Sequence, residues 1–191
     1  MQGGGGLEWL PTPLVCLLAC MGMLRFMSKQ INPIKMINVG HKSVTLRTAE
    51  ASGSLLLRPM TLEHIRSGKL AKGDAINTAQ VAGIMAAKRT ADFVPLCHPL
   101  PLDSVDVDVH FETSSASCKA AVKVAAKVTT NAKTGVEMEA LVAVAAALMS
   151  LYDMAKSIDQ DMVISDIKLD KKTGGLGGCY VRSDGLSMSS E

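Results

Sequence analysis

Aromatic side chains make up only 3% of the 191 residues, as three Phe, two Tyr and one Trp. A base-stacking platform for single-stranded nucleic acid needs more of them. No excess of one charge compensates, because 20 Lys and Arg face 18 Asp and Glu for a formal net charge of +2. A dedicated nucleic-acid binder carries a pronounced basic surplus, so no nucleic-acid partner is expected. No Cys-x-x-Cys occurs. The five cysteines, Cys16, Cys20, Cys97, Cys118 and Cys179, are odd in number and irregular in spacing. That pattern does not suit a small disulfide scaffold and fits a reducing compartment. Cys16 and Cys20 match the first two positions of a Cx3Cx2C iron–sulfur triplet, but Met23 stands in the third. Two buried thiols in an apolar stretch is the simpler reading. The apolar run from Leu14 to Leu24 falls short of the ~20 residues of a spanning helix. No internal repeat is evident.

What is present is apolar material: 48% of the chain is hydrophobic. This suffices for one folded domain plus a tail, with a core built from Ala, Val, Leu, Ile and the 12 Met. Residues 1–35 read as an extension outside that fold. Gly3 to Gly6 form a flexible lead-in, and Pro11 and Pro13 break any long helix. The apolar run has the length of a signal-peptide core, yet Glu8 precedes it and no Lys or Arg does. A targeting remnant, a fusion junction and an upstream start all remain open, as does a membrane anchor over residues 9–27. Residues 36–180 are expected to form the domain and 181–191 a flexible tail.

Within the domain, Met36 to Leu57 is strand-like. Thr61 can cap a short helix that runs to Arg66 and ends at Gly68. Asp74 can cap a second helix running to Asp92, with Lys88 and Arg89 in its last turn. The prolines Pro95, Pro99 and Pro101 make the next stretch irregular. SVDVDVHFE alternates, Val105, Val107, Val109 and Phe111 against Asp106, Asp108, His110 and Glu112. KAAVKVAAKV answers it with Val122, Val124 and Val128 against Lys123 and Lys127, so the two form a hairpin with acids facing lysines. A long Ala- and Leu-rich helix is expected from about Glu137 to Asp159. MVISDIKLD makes the last strand, and KKTGGLGG a closing glycine-rich loop. The fold class is α+β, an antiparallel-rich sheet with helices on one face.

Five segments place polar groups where a plain core would not want them. Lys72-Gly73-Asp74 sets an ammonium beside the free N–H groups at a helix start, suited to an anion, or is a solvated turn. Cys97-His98, held between prolines, offers an acid/base or phosphate-binding imidazole, or a hydrogen-bonded structural one. Glu137-Met138-Glu139 puts two carboxylates at a helix start, where the dipole alone also favours acids. Asp153 and Lys156 stand three apart on one helix and can pair. Lys172 lies in KKTGG, whose glycines and cations suit phosphate without forming a Walker loop. Glu139 and Asp153 are 14 residues apart, hence on one helix face but ~21 Å from each other. One small substrate cannot touch both, which favours an oligomer with sites between protomers.

KGDAINTAQVAGIMAAKRTADFVPLCHPL, KTGVEMEAL, LYDMAKSIDQDMVISDIKL and KTGG, in this order and spacing, resemble the cyclic pyranopterin monophosphate synthase (MoaC) family of molybdenum cofactor biosynthesis. The resemblance spans roughly Met36 to Tyr180. It implies a ferredoxin-like α+β fold, and a hexamer built as a trimer of dimers with active sites at a subunit interface. It also implies a lyase that converts a 3',8-cyclic dihydro-GTP, supplied by a radical SAM partner, to cyclic pyranopterin monophosphate with release of diphosphate. By motif, Lys72, Asp153 and Lys156 fall on catalytic positions. His98, Cys97, Glu137, Met138, Glu139 and Lys172 fall on substrate positions, and Arg47 joins them on a shorter match. No resident cofactor is implied, and Mg²⁺ accompanying the triphosphate stays open. Asn38 replaces a usual Asp, Ala155 a frequent Cys, and the apolar leader has no counterpart. Location would be the mitochondrial matrix in a eukaryote and the cytoplasm otherwise. A non-catalytic nucleotide-binding module of the same fold is the alternative.

Overall fold

A computed structural model describes residues 33–114 and 119–183; the apolar run Leu14 to Leu24, Cys16, Cys20 and Cys118 lie outside them. The elements follow in the order β1 (Thr45–Leu57), α1 (Pro59–Arg66), α2 (Ala75–Ala87), α3 (a single turn, Thr90–Phe93), β2 (Ser104–Ser114), β3 (Lys119–Ala132), α4 (Glu137–Ala155), β4 (Val163–Thr173) and β5 (Tyr180–Val181). All sheet pairings are antiparallel, in the order β2-β3-β1-β4-β5. A β-α-β-β-α-β succession with this order is the ferredoxin-like topology, as the motifs imply.

The hairpin forms as its alternation predicts. Val107, Val122, Val124 and Val128 are buried, and Asp106 stands opposite Lys127. Lys123 faces His110 and makes its ion pair diagonally, to Glu112 at 2.6 Å. The helices share one face of the sheet. A Cβ on Gly83 of α2 would lie 2.9 Å from Ala143 O of α4 and 3.2 Å from Val107 Cγ2 of β2. Only glycine permits this three-way approach. Gly53 does the same for β1, where a Cβ would lie 2.8 Å from Leu148 Cδ1 of α4. Burial of Val144, Ala147, Leu148 and Leu151 then makes α4 the centre of the core, with roughly 1.5–3 kcal/mol from each large side chain.

Four expected boundaries shift. β1 begins at Thr45 rather than Met36, since a turn intervenes, with Lys42 N bonded to Val39 O. α1 begins at Pro59, whose ring pre-sets the helical φ; Thr61 lies inside the helix, and its hydroxyl donates to Asp159 instead of capping. α2 stops at Ala87 with Lys88 as its C-cap, and Arg89 N turns back to Ala86 O before α3. α4 ends at Ala155, and β4 extends through Lys171, Lys172 and Thr173, so these are strand and not loop.

Candidate active site

The start of α4 meets β1 and β4 at a basic cleft. Lys172 stands opposite Ala49 in the β1–β4 register, on the face that α4 covers. Its Nζ donates to Glu137 Oε1 at 2.8 Å. Arg47 shares that face two residues earlier on β1, and its Nε and Nη2 donate to Ala132 O and Lys133 O, each at 3.4 Å. The cleft encloses about 180 Å³ and is lined by Lys42, Arg47, Lys133 and Lys172 against the single carboxylate of Glu137, with Gly174 beside them. A whole-ligand pocket holds about 300–1,000 Å³, so this one takes a phosphate group or two and not a nucleotide.

The two glutamates diverge. Burial pushes Glu137 up, but the Lys172 hydrogen bond, its own N–H and the charges of Lys172 and Arg47 outweigh it and hold the carboxyl below its ordinary value. Glu139 is 4% exposed. Burial drives its carboxyl up, its own N–H only partly offsets this, and the Glu137 charge adds to the rise. Cys97 is a thiol beside both, raised by burial and then by the charges of Glu139 and Glu137. His98, half-buried, follows it in the proline-rich segment, and Met138 is exposed between the glutamates.

The other end of α4 carries a second cluster. Asp153 receives Lys72 Nζ at 2.6 Å on Oδ2 and Lys156 Nζ at 2.8 Å on Oδ1. Lys72 also donates to Asp153 O at 3.0 Å. The Lys156 and Lys72 hydrogen bonds bring the Asp153 carboxyl down to about 2. In return the Asp153 bond and charge, with Tyr152 contributing, raise Lys156. The N–H groups at the start of α2 are not available to an anion, contrary to expectation: Ile76 N and Asn77 N both donate to Asp74 Oδ1 at 3.0 Å. Lys72 serves Asp153 instead.

One chain therefore gathers Arg47, Glu137, Lys172, Glu139 and Cys97 at one end of α4, and Lys72, Asp153 and Lys156 at the other. With 1.5 Å per residue the two ends stand ~21 Å apart. Sequence reasoning missed Lys42 and Lys133 because an isolated lysine in a polar stretch carries no signal; the only cue was that Lys133 directly precedes the TGVEME run. Among the described residues no three His, Cys, Asp or Glu gather as a metal cluster.

The MoaC family model matches residues 36–175. The chain is similar to a cyclic pyranopterin monophosphate synthase 3 of Mycobacterium bovis, 48% identical over 163 residues, covering 85% of this chain and 89% of that protein. Cyclic pyranopterin monophosphate synthases of Thermomicrobium roseum and Heliobacterium modesticaldum are 49% and 47% identical over 150 residues. Those matches cover 78% of this chain and 88% and 92% of theirs.

Proposed function

The chain belongs to the MoaC family, and from that premise we propose that it is a cyclic pyranopterin monophosphate synthase acting in molybdenum cofactor biosynthesis. As a phosphorus–oxygen lyase it takes a 3',8-cyclic dihydro-GTP from a radical SAM enzyme and releases diphosphate. The observation that carries this reading is the basic cleft, where four cations surround one carboxylate. A triphosphate needs such a cluster, and the departing diphosphate is stabilised by the same charges. Arg47 and Lys172 bind the phosphates, aided by Lys42, Lys133, His98 and Lys72. Glu137 orients Lys172, while Glu139, with Met138 and Cys97 alongside, accepts N–H groups of the guanine-derived ring. Asp153 keeps Lys156 protonated, so Lys156 enters the reaction as a proton donor while the ring system is rebuilt.

Because the two clusters stand at opposite ends of α4, a complete site draws one from each of two neighbouring chains, in a hexamer arranged as a trimer of dimers. The free thiols of Cys97 and Cys179 suit a reducing compartment, the mitochondrial matrix or the cytoplasm according to source. The deciding experiment incubates the full chain with the cyclic GTP derivative and assays the pterin product and diphosphate. Equimolar formation of both is expected, and absence of the pterin product from folded protein overturns the reading.

A further inference from the structure

Three glycines after β4 adopt left-handed backbone: Gly174 (φ 94°), Gly175 (φ 72°) and Gly178 (φ 61°). That conformation is shared, but their surroundings differ. A Cβ on Gly174 would run into Leu46 O, the backbone of β1. A Cβ on Gly175 would overlap Arg47 Nη1 and Cζ and stand 2.8 Å from Nη2, and on Gly178 it would meet nothing within 4 Å. Gly174 lets the loop lie against the strand, whereas Gly175 meets only a side chain.

We infer that Gly175 is a positioning residue for Arg47: its missing Cβ is the space the guanidinium occupies. On one side Arg47 is held by Ala132 O and Lys133 O, and on the other its guanidinium packs against Gly175. Any side chain at 175 displaces it from the cleft and removes one of four cations there. The glycine is required for room and not for N–H contacts to phosphate, which its place in a Lys-Thr-Gly-Gly run suggested. The inference rests on reading the cleft as the phosphate site.

The test is calorimetric titration of the full chain with inorganic diphosphate. Gly175→Ala is expected to bind about tenfold more weakly, as does Arg47→Ala, the loss of a charge-assisted bidentate contact. Gly178→Ala carries a comparable backbone strain with nothing to strike, and should stay within about twofold of the parent. In an Arg47→Ala background, Gly175→Ala should add no further loss. Two results overturn the inference: diphosphate binding by Gly175→Ala within about twofold of the parent, or a second loss in the Arg47→Ala background. If Gly175→Ala does not fold, Gly175→Asn replaces it, since Asn tolerates left-handed backbone while keeping the Cβ. Failure of the parent itself to bind diphosphate would instead remove the phosphate reading of the cleft, and the inference with it.

Discussion

Glu137 and Glu139 show how one helical turn yields two different acids. Lys172 holds the first ionised, while burial favours the neutral form of the second. Folded Glu139 takes a proton more readily than unfolded Glu139. Stability therefore falls as pH rises from the ordinary carboxylate pKa, about 4.3, to the raised folded value, and the deficit persists above it. Glu139→Gln removes that deficit while replacing one of the two acceptor oxygens with an NH2 donor. Its melting temperature at about pH 7.5 should exceed the parent's, the difference closing as pH falls to about 4, with turnover lost. At the other end, Lys156→Ala should reduce turnover by more than about a hundredfold; a loss of less than tenfold in purified protein excludes proton transfer there. The Asp153–Lys156 pair is legible in sequence from its spacing. Lys72 stands out in sequence by its motif, but its bond to Asp153 does not, because it spans 81 residues and no local pattern encodes such a contact.

At the level of elements, the connection after α4 is tied down by a buried carboxylate. Asp159, 1% exposed, accepts from Arg58 N at 3.1 Å, Arg58 Nη2 at 3.0 Å and Thr61 Oγ1 at 2.9 Å. Burial alone would raise its carboxyl, but the Arg58 amide, the Arg58 guanidinium and the Thr61 hydroxyl bring it below the ordinary range. The stabilisation is thus present above the unfolded carboxylate pKa and lost as pH falls through the folded one. Asp159→Ala strands a buried hydroxyl and an amide, and should cost about 2 kcal/mol in urea unfolding at neutral pH. Arg58→Ala leaves its own amide in place and removes only a half-exposed guanidinium, so it should cost less than about 1 kcal/mol. The capping role of Asp74, the β2–β3 hairpin and the existence of α4 follow from local chemistry and are readable in sequence. The actual ends of α2 and α4 are not, since Lys88, Arg89 and Lys156 are good helix formers and tertiary contacts decide where the chain turns.

For the whole molecule, the proposal of sites shared between chains makes a quantitative demand. A Lys72→Ala chain lacks one half-site and a Lys172→Ala chain the other, so each alone should be inactive. Unfolded together in equal amounts and refolded, they should recover about a quarter of parental turnover, the chance that both halves of a site are intact. No recovery in mixed oligomers, verified by mass, would place each site within one chain. Composition and alternation suffice for the α+β class, but not for the strand order, because β1 lies between β3 and β4 and neither neighbour is adjacent in sequence.

That order bears on how the chain is made. Among the described strands the first to leave the ribosome is the one that ends up in the middle of the sheet, and its second neighbour, Val163–Thr173, emerges only after α4. Until then the Thr48–Leu56 border has nothing to bond, an open template for any stray extended peptide. A nascent chain stalled before Val163 is the species that chaperones should hold most avidly.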